Sequence, residues 1–371
     1  MILKNGYVYG EDCCFAKRDL YVENGRIVPD ASSLTNVEEI DASGLYVIPG
    51  LIDIHSHGAC GCDFSDADPK GLQTILEYEY AHGITSYCPT SMTLPKEQLE
   101  RIFLSAGQEV EAAAQSGTKH SRILGFNMEG PFLQAKKKGA HQEIYIRKPD
   151  VAFFRFCQES SGGRIRLVTL APDTEGALDF IRQLHDEVTI SLGHTAADYE
   201  TSRLALEAGA SHVTHLYNAM PPFAHRQPGL IGAAADDPGC MAELICDGIH
   251  IHESAVRAAF KLFPGRMILI SDSMRATGLQ DGTYDLGGQQ VIVKGRLAAL
   301  ADGTIAGSAT NLFDCMRTAI SFGIAPETAI ACATANPAKS IGMYDSVGSL
   351  TPGKYADILL LDREYRLVRV L

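Results

Sequence analysis

Short apolar runs recur through the middle of the chain, and most of them end in polar residues, several of types that bind metals or carry protons. A short apolar run with such boundaries is typical of a buried β-strand. The eight runs lie at residues 50–55, 85–90, 123–129, 166–172, 188–194, 212–216, 242–247 and 267–272. They predict eight buried strands.

Helical patterns separate most of these runs, at residues 71–81, 96–115, 198–208 and 254–262. We expect a loop between the sixth and seventh strands, and a β excursion over residues 284–299 after the eighth. Strands that alternate with helices indicate an α/β fold with a parallel sheet. No G-x-G-x-x-G or P-loop motif is present, so an open nucleotide-binding sheet lacks its site. We therefore expect a (β/α)8 TIM-type barrel.

The two ends of the chain share a different pattern of short β segments. Asn5-Gly6 and Asn24-Gly25 are turn signals between the first segments, and residues 356–361 and 367–370 return to the same style near the end. We expect residues 1–49 and 350–371 to form one small, discontinuous β-sandwich domain. The catalytic barrel then spans residues 50–349.

Composition narrows the possible partners and compartment. The 371 residues carry a net charge of −13, which argues against nucleic acid or an anionic membrane as partner. The first residues lack the pattern of a signal peptide, and no apolar run reaches the ~18 residues of a membrane span. Ten cysteines without regular spacing predict reduced thiols in a cytoplasmic protein. Cys60-Gly61-Cys62 could bind a metal, but ordinary thiols are the favoured interpretation.

Two histidines end the first barrel strand. His55 and His57 are two positions apart, so on a strand both imidazoles face the same side and can reach one site. Imidazole is the commonest metal ligand in proteins, and two ordinary histidines at a strand end are the alternative.

Further ligand-type residues stand at other strand ends. Glu129 ends the third strand, His194 the fifth, His215 the sixth and Asp272 the eighth. The active sites of barrel enzymes lie at this face, and packing does not explain so many converging polar groups. Nitrogen and oxygen ligands suit zinc, iron, manganese or cobalt equally, so the sequence predicts a divalent metal site without choosing the metal.

These motifs resemble the amidohydrolase superfamily, and more narrowly its N-acetylglucosamine-6-phosphate deacetylase family. The resemblance covers nearly the whole chain and is carried by residues 49–58, 128–132, 138–141, 192–195, 215–220, 247–250, 271–274 and 307–309. The most specific segment is His215-Leu216-Tyr217-Asn218-Ala219-Met220, which other amidohydrolases lack.

The resemblance implies a role for each matching residue. Glu129, His194 and His215 match the main metal ligands. Asp272 matches the general base and, in two-metal members, a further ligand. His55 and His57 match a second-metal pair, so one or two ions per chain are expected.

The resemblance also implies how the substrate is held. His141 matches the residue that polarises the substrate carbonyl; without the resemblance, a surface histidine is the favoured interpretation. Arg226 matches a phosphate ligand, with a solvated arginine as the alternative. The remaining matches to the substrate site are Ala140, Asn218, the Ala219 N–H, His225 and His250. We interpret the lysine run at 136–138 as a solvated loop.

The implied reaction is hydrolysis of an acetamide on a phosphorylated amino sugar, within amino-sugar metabolism and by a homodimer. One alternative is another amidohydrolase substrate, including N-acetylgalactosamine 6-phosphate. Another is a non-catalytic assembly module. A module of that kind would have lost ligands, whereas every expected position is filled here.

Overall fold

A computed structural model describes residues 1–32, 34–113 and 119–371 of the chain. Its strands are β1 (Ile2–Tyr9), β2 (Phe15–Glu23), β3 (Arg26–Val28), β4 (Glu39–Asp41), β5 (Tyr46–Pro49), β6 (Leu51–Ser56), β7 (Gly58–Ala59), β8 (Cys62–Asp63), β9 (Ile84–Ser91), β10 (Arg122–Ile123), β11 (Phe126–Phe132), β12 (Ile165–Leu170), β13 (Thr189–Leu192), β14 (His212–Val213), β15 (Met241–Ile245), β16 (Met267–Ile270), β17 (Gly282–Leu286), β18 (Gln289–Lys294), β19 (Leu297–Ala299), β20 (Ile358–Leu361) and β21 (Leu367–Val370). Its α-helices are α1 (Pro69–Ala81), α2 (Lys96–Ala113), α3 (Val151–Ser160), α4 (Ala177–Leu184), α5 (Tyr199–Glu207), α6 (Gly229–Asp236), α7 (Glu253–Leu262), α8 (Leu312–Ser321), α9 (Pro326–Ala333) and α10 (Ala335–Ser340).

Eight parallel strands form the barrel, in the order β6-β9-β11-β12-β13-β14-β15-β16. Backbone hydrogen bonds between the residues that follow β16 and the end of β6 close the barrel. The Asp272 N–H donates to the His55 carbonyl at 2.9 Å, and the His57 N–H donates to the Ser273 carbonyl at 2.8 Å. The predicted barrel is confirmed, and the closing bonds join two of the candidate site segments.

The helices begin where the sequence offers a cap. The Asp68 side chain accepts from the backbone at the start of α1, with Pro69 in its first turn, and Asp198 does the same for α5. Of the four predicted helices, three match α1, α5 and α7 within two residues. The fourth matches α2, and its last two predicted residues, 114 and 115, lie outside the described part of the chain.

The connection between the sixth and seventh strands corrects the sequence prediction. The sequence predicts a loop there, but the structure has helix α6 at Gly229–Asp236. Its buried residues run from Gly229 through Ala234 without interruption. A helix buried on nearly every side has no polar face, so the periodic pattern that identifies a surface helix is missing.

The small β domain is built from both ends of the chain, in the order β21-β20-β5-β1-β2-β3 with β4 beside β1. Asn24-Gly25 forms the expected turn between β2 and β3. Asn5-Gly6 does not separate two strands, because β1 continues through a register shift between Leu3 and Gly6, with Asn5 at φ 63°. Asn tolerates that left-handed conformation, so the expected turn becomes a β-bulge. The exact domain boundaries stay a prediction.

Three further expectations concern the rest of the chain. The predicted β excursion is confirmed as the antiparallel sheet β17-β18-β19. All ten cysteines are free thiols. Among the described residues, no helix has the length and apolar character needed to cross a membrane.

Candidate metal and substrate site

Six predicted ligand-type side chains meet at the carboxyl ends of the barrel strands. All are at most 8% exposed: His55, His57, Glu129, His194, His215 and Asp272. Three of them have a positive φ, at 47° for His194, 28° for His215 and 49° for Asp272. Non-glycine residues in this region are strained, and such strain clusters at functional sites. The chain thus holds these three side chains in place at a conformational cost.

Glu129 lies at the centre of the cluster, between two groups of histidines. Its Oε1 is 3.1 Å from both His194 Nε2 and His215 Nε2, and 3.4 Å from His55 Nε2. Its Oε2 is 3.2 Å from His57 Nε2. A carboxylate placed in this way can offer one oxygen to each of two cation positions.

Asp272 completes the second group. Its Oδ1 lies 3.3 Å from His57 Nε2 and 3.8 Å from His55 Nε2. His55, His57 and Asp272 together form a buried trio of potential ligand atoms. Within the part of the chain that the structure describes, His55 Nε2 also has no hydrogen-bond partner, which leaves it available to a cation.

Hydrogen bonds behind the histidines fix which ring nitrogen faces the site. His57 Nδ1 donates to the Thr90 carbonyl at 3.0 Å, and His194 Nδ1 donates to the Lys137 carbonyl at 2.8 Å. When such a ring is neutral, its proton is on Nδ1 and its Nε2 presents a lone pair to the cluster. Metal-binding histidines are held in this way by donors and acceptors behind the ligands.

Glu243 holds the cluster from behind and was not predicted as a functional residue. Its Oε2 accepts from His55 Nδ1 at 2.9 Å and from the His215 backbone N–H at 3.1 Å. Burial would raise its pKa, but His55 and His212 outweigh burial and hold it at about 2. The only signal in the sequence was an acid inside the apolar run of β15.

His141 has the opposite orientation. Its Nδ1 accepts from the Thr93 backbone N–H at 3.2 Å, so the proton of the neutral ring is on Nε2. That nitrogen lies 3.3 Å from Glu129 Oε2. His141, Glu129 and His194 could hold an ion by proximity alone. The ring's tautomer argues against this, because it makes His141 a hydrogen-bond donor at the site.

The ionisation states of the cluster fit a cation site. Burial would raise the pKa of Glu129, but His55 and His141 outweigh it and hold that pKa well below the ordinary value. Burial lowers the pKa of His194 to about 4, which leaves that ring neutral. Burial also opposes the protonation of His57, but Asp272 and Glu129 outweigh burial and raise its pKa to about 10. The carboxylates of Glu129 and Asp272 therefore attract positive charge, which a proton on His57 or a bound cation can supply.

A cavity of about 470 Å³ opens onto this cluster. The predicted site residues that line it are His57, Glu129, Ala140, His141, His194, His215, Asn218, Ala219, His250 and Asp272. His225 and Arg226 are exposed and do not line the cavity of this chain. Lining residues that the sequence analysis did not single out include Met92, Ile245, Leu286, Asp302 and the segment 304–306.

Beside His215, the backbone of the following residues also borders the cavity. His215, Tyr217 and Ala219 have φ values of 28°, 77° and 53°. The N–H groups of His215, Leu216 and Asn218 are already bonded, to Glu243 Oε2, the Glu243 carbonyl and the His215 carbonyl. Among the described residues the Ala219 N–H has no acceptor, so it is available to an anion in the cavity. Nearby, His250 Nδ1 donates to Asp247 Oδ2 at 2.8 Å, so the Nε2 of this ring is an acceptor at the cavity.

The lysine run lines the cavity. The sequence favours a solvated loop for residues 136–138, and Lys136 is exposed while Lys137 and Lys138 are half-exposed; all three also border the cavity. The loop folds inward at Gly139, where φ is 55° and an added Cβ would lie 3.4 Å from His194 Cε1. In the described residues, neither Cys60 nor Cys62 belongs to a cluster of three or more potential metal ligands.

A parallel barrel with imidazole and carboxylate ligands at the strand ends defines the class of metal-dependent barrel hydrolases. The sequence pattern of the amidohydrolase family matches residues 46–368, so the chain belongs to the amidohydrolase family. This family is metal-dependent, and the clusters described above fit that requirement.

Several similar relatives have narrower names. The N-acetylglucosamine-6-phosphate deacetylase of Bacillus subtilis (strain 168) is 43% identical over 87% of this chain and 82% of its own length. The N-acetylgalactosamine-6-phosphate deacetylase of Escherichia coli O157:H7 is 34% identical over 92% of this chain and 90% of its own. A solved structure of a mutant N-acetyl-D-glucosamine-6-phosphate deacetylase from Mycobacterium smegmatis, in complex with N-acetyl-D-glucosamine-6-phosphate, has a TM-score of 0.91 at 31% identity, over 100% of this chain and 97% of that one.

Proposed function

We propose that this protein hydrolyses N-acetyl-D-glucosamine 6-phosphate to D-glucosamine 6-phosphate and acetate, in amino-sugar catabolism. The proposal rests on one cavity, which is lined by the buried side chains around Glu129, the hydrogen-bond donor His141 and the backbone of Ala219 with its free N–H. Acetamide hydrolysis requires the first two, and a phosphate group requires the third. The names of the relatives support the same substrate.

We assign the metal ligands in two groups. Glu129, His194 and His215 would hold the first ion, and His55, His57 and Asp272 would hold a second. When bound, a divalent ion of zinc, iron, manganese or cobalt polarises an amide carbonyl and lowers the pKa of water to near 7.

The protein's own groups then handle the protons. The Asp272 carboxylate accepts a proton from the attacking water, whose oxygen bonds to the acetyl carbon. His141 donates a hydrogen bond from Nε2 to the carbonyl oxygen as negative charge develops there. The carbon–nitrogen bond breaks, and Asp272 returns the proton to the sugar amine. The second proton of the water passes from the new carboxyl group to the amine, so one water is consumed and acetate and the protonated amino sugar leave.

Groups across the cavity position the sugar. The Asn218 side chain and the Ala219 N–H receive the phosphate, the Ala140 backbone borders the acetamide side, and His250 accepts from a sugar hydroxyl. Holding the phosphate fixes the acetamide over the ligands, which lowers the entropic part of the barrier. Arg226 and His225 are assigned to the phosphate as well. Because both are exposed outside this chain's cavity, that assignment requires the neighbouring copy of a homodimer.

One second substrate is favoured by a specific observation, the galacto relative at 34% identity. The two sugars differ only in the epimer at one hydroxyl, so both fit the same chemistry. Purified protein should be incubated with each sugar phosphate while acetate and free amine are measured. Faster release from the gluco epimer supports the proposal, faster release from the galacto epimer replaces the substrate, and release from neither refutes deacetylation.

A further inference from the structure

The lysine run at residues 136–138 lines the cavity, but the proposed reaction gives it no role. We propose that Lys137 is a specificity-determining residue that contacts the phosphate group of the substrate from within the same chain. This inference rests on the proposed function, because it names a ligand for the phosphate of that substrate.

The three lysines of the run differ in their surroundings. Lys138 Nζ lies 3.4 Å from Glu143 Oε2, which offsets its charge, and Lys136 is exposed. Lys137 is half-buried, and its Nζ donates to the Met220 carbonyl at 3.3 Å. Within the described residues, no carboxylate lies within ion-pair distance of Lys137. It is therefore a cation at the cavity with its charge uncompensated.

The contact with Met220 places this ammonium group beside the proposed phosphate site. Met220 directly follows Asn218 and Ala219, and both of those residues line the same cavity as Lys137. The Ala219 carbonyl is already bound by the Thr195 N–H at 3.1 Å, and in the described part of the chain the Ala219 N–H has no acceptor. One free donor and one uncompensated cation thus lie on the same side of the cavity.

The backbone of Lys137 is fixed relative to the metal ligands. Its carbonyl accepts from His194 Nδ1 at 2.8 Å, and its N–H donates to the Gln134 carbonyl at 2.8 Å. The ammonium group therefore starts from a defined position, while its long side chain can still turn from a neutral carbonyl to an anion. Charge-assisted hydrogen bonds to phosphate are roughly twice as strong as neutral ones, so this exchange favours a phosphorylated ligand.

Lys137 also provides positive charge in a cavity that is otherwise rich in carboxylates. The chain has a net charge of −13, and the cavity contains the carboxylates of Glu129, Asp272 and Asp302. An anionic substrate needs local positive charge to enter, and Arg226 lies outside the cavity lining. Lys137 supplies that charge without a contribution from another copy of the chain.

The test compares Lys137→Ala and Lys137→Gln with the parent and with Lys148→Ala. Lys148 is an exposed lysine that pairs with Glu175, so its removal controls for the loss of one positive charge. Steady-state acetate release from N-acetylglucosamine 6-phosphate and from N-acetylglucosamine gives kcat and KM for each protein. Inhibition by the products glucosamine 6-phosphate and glucosamine gives the binding affinity for a phosphorylated and an unphosphorylated ligand, apart from kcat.

We expect both Lys137 variants to raise KM for the phosphorylated sugar about 10- to 100-fold with little change in kcat. Inhibition by glucosamine 6-phosphate should weaken equally, inhibition by glucosamine should not change, and Lys137→Arg should restore most of the loss. Unchanged phosphate preference in both variants, or equal losses on both sugars, overturns the assignment. A parent that shows no preference for the phosphorylated sugar refutes the proposed function itself, and the role of Lys137 with it.

Discussion

Replacing Glu243 by Gln tests whether the residue behind the histidines governs metal binding. Glu243 is fully buried and joins His55 Nδ1, the His215 N–H and, at 3.3 Å, His212 Nε2. Gln has nearly the same shape, so the packing stays, but its single carbonyl oxygen cannot replace both carboxylate oxygens. The negative charge that draws the His55 proton to Nδ1 is also lost.

The size of the effect follows from the number of ligands that Glu243 holds. It fixes the ring of one proposed ligand, His55, and the backbone of another, His215. Loss of such a supporting contact costs about 10- to 100-fold in metal affinity. That range corresponds to about 1.4 to 2.8 kcal/mol. At saturating metal the reacting groups remain in place, so kcat should fall less than the affinity does.

The assay is a competition titration of metal-free protein against a chromogenic chelator, with acetate release measured at saturating metal. Glu79→Gln is the matched control, since Glu79 is a fully buried acid in α1 outside the cluster. The control should bind metal as the parent does. If Glu243→Gln also binds metal within about twofold of the parent, Glu243 does not support the ligands and the reasoning fails.

Four further predictions concern single features of the chain. Asp272→Asn should lower kcat about 10²- to 10⁴-fold with a smaller change in KM, and steady-state kinetics showing most of kcat retained would contradict its role. Changing both His55 and His57 to alanine should remove about one ion per chain in elemental analysis, and an unchanged count would leave the pair structural. Arg226→Ala should lower kcat/KM for the phosphorylated sugar about 10- to 150-fold, mainly through KM, and equal losses on the unphosphorylated sugar would make Arg226 structural. Burial raises the pKa of Glu79 well above its ordinary value, so the folded chain keeps a proton that the unfolded chain releases above about pH 4.3, and stability falls as pH rises. Urea unfolding near about pH 5 and about pH 8 should show a smaller fall for Glu79→Gln, and equal falls would refute this.

Much of the barrel and its ligand cluster could be predicted from the sequence. Apolar runs mark buried strands, and the carboxyl ends of parallel strands meet at one face of the barrel. A residue's place at the end of its run therefore indicates where it lies in space. His55, Glu129 and Asp272 are far apart in sequence, yet the carboxylates of Glu129 and Asp272 lie 3.4 Å and 3.8 Å from His55 Nε2.

The remaining features depend on contacts that local pattern does not contain. Glu243 acquires its function from His55, 188 residues away in the chain. Helix α6 has no polar face, so it lacks the periodicity that identified the other helices. Lys137 lies in a charged run that suggests solvent, and only the inward fold of the loop at Gly139 brings it to the cavity.

We expect the side chains clustered around Glu129 to bind a metal ion that is required for deacetylation. The most direct test is to remove metal with a chelator, add back a divalent ion in steps, and follow acetate release from N-acetylglucosamine 6-phosphate beside bound metal. We expect no acetate from the metal-free protein, acetate release that rises with the first bound equivalent of metal, and no recovery of activity in Glu129→Gln. Full activity in metal-free protein, or bound metal without acetate, would contradict this expectation.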